Sequence, residues 1–215
     1  MSLSYKSYWR KSGLKARWGN IYLEHINKYK PKHFLELGVF CGVTAKNTCD
    51  LLYQLNNKSF SYIGVDLFGE DRNSKTDEIE PNFLKSQKFS NPFKNFYYNI
   101  ILKENLNSLE SVEKFLIKYK ENIKLVKGDS NNVLKDIDLT TIDYAFIDGG
   151  HSYKTVTNDL EILYKNMKGK NKVLMCDDYG NKSYIKEVKN AIDDFINKNN
   201  LKINVIAERF AEIIT

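Results

Sequence analysis

Two short stretches of the chain hold residues able to do chemistry together. The first is Asp148-Gly149-Gly150-His151-Ser152-Tyr153, and the second is Cys176-Asp177-Asp178-Tyr179. Each follows an apolar run, 142–148 and 172–177, of the length and composition of a buried strand. If those strands lie side by side and parallel, Asp148, Asp177 and Asp178 converge. Uncompensated negative charge at such range is costly and raises carboxyl pKa values unless a cation neutralises it. An all-oxygen ligand set suits a hard divalent ion, Mg²⁺ before Mn²⁺ or Ca²⁺. His151 has a side chain that titrates near neutrality and can accept a proton from a hydroxyl. The plainer reading makes His151 an N-terminal helix residue bonded to a local carbonyl, and the acids exposed helix caps.

A second set of residues has the character of a nucleoside site. The run at 33–38 ends in Glu36-Leu37-Gly38-Val39-Phe40-Cys41-Gly42-Val43-Thr44. Gly38 and Gly42 permit a tight turn and close backbone approach to a ligand, and a helix starting near Thr44 presents free N–H groups. The run at 61–66 ends in Asp66, whose carboxylate can accept both hydroxyl protons of a ribose. The run at 123–128 leads into Gly128-Asp129-Ser130, where a short acid could accept from an adenine amino group. Taken alone, Asp129 reads as a turn or helix N-cap residue.

These five runs are short, nearly continuous in apolar character and rich in β-branched or aromatic residues, as in strands buried on both faces. Helical periodicity fills the gaps over 44–54, 106–119, 156–167 and 185–195. Strands alternating with helices predict an α/β fold with a mostly parallel central sheet flanked by helices. The tail breaks the rhythm, because 203–207 and 210–214 are separated only by Glu208 and Arg209, which predicts an antiparallel C-terminal strand. In open α/β sheets ligands bind beyond the carboxyl ends of the strands, where all of the residues above fall. Gly38 and Gly42 are four apart and no G-x-G-x-x-G follows the first strand, which argues against a nicotinamide-binding enzyme.

With GVFCG after one strand, Asp66 after the next and GDS before the fourth, the chain resembles the class I S-adenosylmethionine-dependent methyltransferases, whose fold is Rossmann-like. The resemblance implies S-adenosylmethionine as cofactor. It gives Glu36, Gly38, Val39, Phe40, Gly42 and Thr44 the methionine end, Asp66 the ribose, and Asp129 with Ser130 the adenine, with Asp148 also bordering the cofactor. Phe40 stands where that family usually has a central glycine. The DGGHSY and DDY motifs further resemble a subgroup of small metal-dependent O-methyltransferases that includes enzymes acting on sugar hydroxyls of macrolides. By that resemblance Asp148, Asp177 and Asp178 hold Mg²⁺ or another divalent cation, and either His151 or Asp148 is the general base. The implied acceptor is a small hydroxylated molecule, a sugar or glycoside, with a catechol as the nearest alternative. A cofactor-binding subunit without catalysis is the alternative of a different class.

The rest of the chain bounds these readings. Its 215 residues, 42% hydrophobic, suffice for one domain, taken as 33–215 behind an N-terminal helical extension at 1–32. Residues 67–104 form an insertion with the length of a lid or binding loop, containing Asp71, Asp77, Glu78, Glu80 and several aromatics. The aromatics there serve equally well as a local core. The opening residues Tyr5, Tyr8, Trp9, Arg10, Arg17, Trp18 and Tyr22 suit either a cover for the cofactor cleft or a subunit contact in a homo-oligomer. Cys41, Cys49 and Cys176 lack metal-ligand spacing and read as buried thiols, and His25 and His33 as structural. No run reaches a membrane span or a signal peptide core, so a cytoplasmic protein without a membrane partner is expected. The net charge of +6 is spread over scattered lysines, so nucleic acid is not the expected partner.

Overall fold

The computed structural model describes residues 3–69, 83, 86–167, 172–180 and 186–214. In chain order the elements are α1 (Ala16–Tyr29), β1 (His33–Leu37), α2 (Val43–Leu55), β2 (Ser61–Asp66) and α3 (Pro92–Phe96), which runs into a π-helical turn (Tyr97–Ile101). There follow α4 (Leu109–Phe115), β3 (Ile123–Lys127), α5 (Ser130–Val133), β4 (Tyr144–Ile147), α6 (Tyr153–Asn166), β5 (Val173–Cys176), α7 (Lys186–Asn199), β6 (Ile203–Ile206) and β7 (Phe210–Ile214). The strands form one sheet in the order β3-β2-β1-β4-β5-β7-β6.

The side-chain period of two divides each central strand between two cores. Phe34, Tyr62, Tyr144 and Phe146 face α1, α2 and α4, meeting Tyr22, Ile26, Leu52 and Val112. Leu35, Leu37, Ala145 and Ile147 face α6 and α7, meeting Leu160, Leu163, Ile192 and Phe195. The result is the three-layer α/β sandwich expected from the alternating pattern. The segment before β1 shares the first core, since Tyr5, Leu14, Tyr22 and Ile26 are buried in it. His25 is structural as expected, placed between the Tyr144 hydroxyl at 2.7 Å and Glu212 at 2.9 Å. His33 meets the Ser61 hydroxyl at 2.8 Å.

Three boundaries differ from the sequence reading, each for a local reason. Ser152 caps α6 by accepting from the Thr155 N–H, so that helix starts at Tyr153 rather than Val156. Ser108 caps α4 by accepting from Ser111, which removes 106–108 from the helix. In the tail, Ala207 and Glu208 both take positive φ (51° and 57°), giving a three-residue turn at 207–209. The hairpin is antiparallel as expected, but its second strand inserts between β5 and β6. Residue 185, expected in the last helix, lies outside the described residues.

The described part of the insertion divides its aromatics. Phe83, Phe89 and Tyr98 join Cys41 and Leu106 in a third small core, with Phe40 against it. Phe93, Phe96 and Tyr97 are exposed. Asp71, Asp77, Glu78 and Glu80 lie outside the described residues. The three cysteines are buried and free. Among the described residues no helix is long and apolar enough to cross a membrane.

Candidate active site

Strand register places the sequence motifs in one row. Leu37 is opposite Val65 on one side and Ile147 on the other, and Ile147 is opposite Cys176. The residues that follow these positions, Asp66, Gly38, Asp148 and Asp177, therefore emerge side by side at the carboxyl rim. Asp66 pairs with Lys127, which brings Gly128 and Asp129 to the end of the same row. The strand order reverses at β1, so the row spans the switch point where such sheets bind ligands.

At the β1 end, the turn is made by Gly38 at φ 91° and Gly42 at φ 75°. A Cβ on Gly38 would collide with the backbone carbonyl of Asp148, so only glycine fits where β1 passes β4. Phe40 occupies the expected glycine position in a left-handed conformation, φ 53°, and its N–H donates to Asp66 Oδ2 at 2.8 Å. Asp66 Oδ1 accepts from the Phe68 N–H at 2.8 Å. These two bonds orient the acid. Val39 is buried under the turn, and Thr44 Oγ1 bonds to the Tyr5 hydroxyl at 2.8 Å. Glu36 is fully buried; the Tyr62 hydroxyl donates to its Oε2 at 2.7 Å, while Oε1 has no hydrogen-bond partner. Burial pushes the Glu36 carboxyl up to about 8, with the Tyr62 bond opposing and Asp66 adding to the rise.

Asp129 is the N-cap of α5, accepting from the Asn131 N–H at 3.0 Å and its side-chain amide at 2.8 Å. Ser130 is turned inward and donates to Asp159 at 3.2 Å.

At the β4–β5 end the three acids do converge, together with His151. Ile147, Asp148, Gly150, His151, Val156, Cys176, Asp177, Asp178 and Val188 line one concavity. His151, one residue ahead of the α6 cap, has Nε2 3.3 Å from Asp178 Oδ2. The Asp148 carboxyl is held well above its ordinary value, first by burial and then by Asp177 and Asp178, with Arg209 opposing. Burial likewise raises Asp177.

The cation at these acids is Arg209. From the end of the β6–β7 turn it donates Nε to Asp177 Oδ1 and Nη2 to Asp177 Oδ2, each at 2.6 Å, and sits 3.8 Å from Asp178 Oδ1. The Tyr179 N–H donates to the Arg209 carbonyl at 2.8 Å, tying the turn to β5. Burial works against the guanidinium charge, but the bonds to Asp177 outweigh it and hold Arg209 above its ordinary value. Among the described residues no group of three or more His, Cys, Asp or Glu side chains is placed to hold a metal ion. The Mg²⁺ set expected on Asp148, Asp177 and Asp178 does not fit this arrangement, because Asp177 is buried and both its oxygens are held by the arginine fork.

Arg209 was not singled out in the sequence, although the predicted hairpin puts it in a turn. The same holds for Tyr62 under Glu36. Arg10 was singled out as one of several aromatic and basic residues near the start of the chain. It is buried and donates Nε to the Cys41 carbonyl and Nη2 to the Leu106 carbonyl and Ser111 Oγ, all at 2.9 Å. Tyr5, Tyr8 and Arg10 thus pack on α2 and the glycine turn.

Residues 35–179 match a family described as a methyltransferase domain. Comparison with curated protein sequences finds no match. The fold is similar to that of the O-methyltransferase NovP, with a TM-score of 0.61 and 18% identity over 92% of this chain and 80% of that one. It is also similar to CalS11, a TDP-rhamnose 3′-O-methyltransferase of calicheamicin biosynthesis, with a TM-score of 0.57 and 15% identity over 90% and 77% of the two chains. TomG from Streptomyces achromogenes, an O-methyltransferase of tomaymycin synthesis in complex with SAM, gives a TM-score of 0.58 and 10% identity over 94% and 81%.

Proposed function

The chain belongs to the methyltransferase domain family, and from that premise we propose that it transfers a methyl group from S-adenosylmethionine to a hydroxyl of a small acceptor, a sugar or glycoside. The single observation that carries this reading is the row Asp66, Gly38, Asp148 and Asp177 at one rim of the sheet, with His151 beside it. It supports a nucleoside-type cleft next to a base. The methionine end of the cofactor meets the turn at Gly38, Val39, Phe40 and Gly42, the uncapped start of α2 at Thr44, and the unpartnered oxygen of Glu36. Asp66, fixed by two backbone N–H groups, takes the ribose, and Asp129 with Ser130 borders the adenine.

The sulfonium supplies an activated methyl group. Alignment of the acceptor oxygen and removal of its proton remain for the protein. His151 accepts that proton as the new O–CH₃ bond forms; the S–CH₃ bond breaks with its electron pair going to sulfur, which leaves S-adenosylhomocysteine and a protonated imidazole. Asp178, 3.3 Å from His151 Nε2, steadies the imidazolium and orients the ring. Asp148 faces the same concavity and is the other candidate to touch the acceptor hydroxyl.

A second reading places Mg²⁺ on Asp148, Asp177 and Asp178. It is favoured by the shared concavity that the three acids line and requires Arg209 to release Asp177. Turnover of labelled methyl donor against a panel of sugar and catechol acceptors tests the proposal. Incorporation into a sugar hydroxyl supports it; cofactor binding without transfer to any acceptor supports a non-catalytic binding subunit instead.

A further inference from the structure

Residues 93, 96, 97, 100 and 101 follow the i, i+3, i+4, i+7, i+8 spacing that in most helices marks the side facing a core. Here they are Phe93, Phe96, Tyr97, Ile100 and Ile101, and all five are exposed, Phe93 at 77% and Ile100 at 60%. The helix is inside out for a physical reason. Asn91 caps it, accepting from the Phe93 and Lys94 N–H groups. Asn95 bonds both the N–H and the carbonyl of Phe89. Asn99 bonds Gln87, which in turn donates to the Glu104 carbonyl and accepts from the Leu106 N–H. The polar side is thus bolted to the flanking segments at 87–89 and 104–106, and the apolar stripe cannot roll inward without breaking these bonds.

Trp9, itself exposed, extends the stripe by packing on Tyr97 and Tyr98 with centroids 5.3 and 5.6 Å apart. Along 86–103 the charged residues are Lys88, Lys94 and Lys103, and the acid that follows, Glu104, is engaged by the Ser111 hydroxyl. Lys94 lies over the Trp9 ring at 5.6 Å and Lys11 over Phe83 at 5.5 Å, and among the described residues neither is paired with a carboxylate. An exposed aromatic and aliphatic stripe rimmed by lysines has the composition of a helix that lies in the surface of a bilayer carrying anionic lipids. A second copy of the chain fits less well, since a two-fold contact would bring two lysine-rimmed faces of like charge together.

We propose that the 93–101 stripe with Trp9 is a docking face for an anionic membrane surface. It departs from the sequence-based expectation of no membrane partner, and it stands independently of the acceptor and of the reaction. The face is joined to the cofactor turn by aromatic contacts through Tyr98, Phe89, Phe83 and Phe40, with centroids 5.3 to 5.5 Å apart. A docked enzyme would therefore hold its cleft close to the lipid surface.

Co-sedimentation of the full chain with vesicles tests this, using phosphatidylcholine alone or mixed with phosphatidylglycerol, alongside Trp emission. Expected is binding to the anionic vesicles with a blue shift, and a loss of about tenfold or more in F93N/I100N. Stabilisation of that variant by S-adenosylhomocysteine, equal to that of the parent, would show that its fold is intact. Absence of binding to anionic vesicles at low salt, or binding unchanged in F93N/I100N, overturns the proposal. So does a dimer in size-exclusion chromatography that F93N/I100N converts to monomer, because it would assign the stripe to a second copy.

Discussion

Arg209 holds Asp177 through two parallel hydrogen bonds from one edge of its guanidinium, Nε to Oδ1 and Nη2 to Oδ2. The acid is nearly inaccessible to water and the arginine is partly exposed. Removing the arginine leaves a buried carboxyl without its counter-charge. Arg209→Met is expected to destabilise the fold by roughly 3 kcal/mol. Asp177→Asn in the same chain should recover a large part of that loss. Urea unfolding of the two single variants and the double variant checks this, and strictly additive losses would deny the coupling.

Gly38 and Gly42 both take positive φ but have different surroundings. A methyl group at Gly38 meets the backbone of Asp148, whereas at Gly42 it meets the Val112 and Phe115 side chains at 3.1 and 3.3 Å. Gly38→Ala should therefore cost about 3 kcal/mol and weaken S-adenosylhomocysteine binding, and Gly42→Ala should cost less. Denaturant midpoints and isothermal titration of the two variants provide the comparison.

Glu36 binds its proton more tightly when folded, its carboxyl being raised by burial from 4.5 to about 8. The folded chain then carries more protons than the unfolded one between these values. Stability contributed by the neutral acid is full below about pH 4.5 and falls as pH rises towards 8. The melting temperature of Glu36→Gln relative to the parent should climb across that window in the absence of cofactor. A constant difference from pH 5 to pH 8 would show that the carboxyl is ionised throughout.

His151→Ala is expected to lower kcat by about 10²- to 10⁴-fold while leaving S-adenosylhomocysteine affinity unchanged, as for a general base outside the cofactor contacts. Steady-state rates across pH test this. Retention of the parent's rate and pH profile in the variant would transfer the role to Asp148.

With Arg209 compensating the acids, methyl transfer should persist in a chelator. A loss of rate that Mg²⁺ restores would place the cation on Asp148, Asp177 and Asp178 and require Arg209 to release Asp177. Either way, saturating S-adenosylhomocysteine should raise the melting temperature, since a ligand at about 100 times its Kd adds about 2.7 kcal/mol.

The row of strand ends was legible because it depends on patterns a sequence displays directly. Apolar runs mark buried strands, and the residue after each run must emerge at the rim. Asp129 was legible as a cap for the same local reason. Arg209 was not, because its partner depends on β7 slipping between β5 and β6, a choice of neighbour that hairpin spacing leaves open. The start of α6 was misplaced because Tyr153, Lys154 and Thr155 add no apolar periodicity, and only the Ser152 cap fixes the end. The aromatics of the insertion look alike in sequence; hydrogen bonds from Asn91, Asn95 and Asn99 decide which become core and which stay outside.

The guanidinium of Arg10 joins the Cys41 carbonyl to the Leu106 carbonyl and the Ser111 hydroxyl, two regions far apart in sequence. One side chain near the beginning of the polypeptide thus acts as a keystone between the glycine turn and the far margin of the insertion. Starting the protein at residue 35, where the family match begins, would discard that keystone while sparing every rim acid and Arg209. The shortened chain would keep the furniture of the site and lose the fixed spacing between its walls.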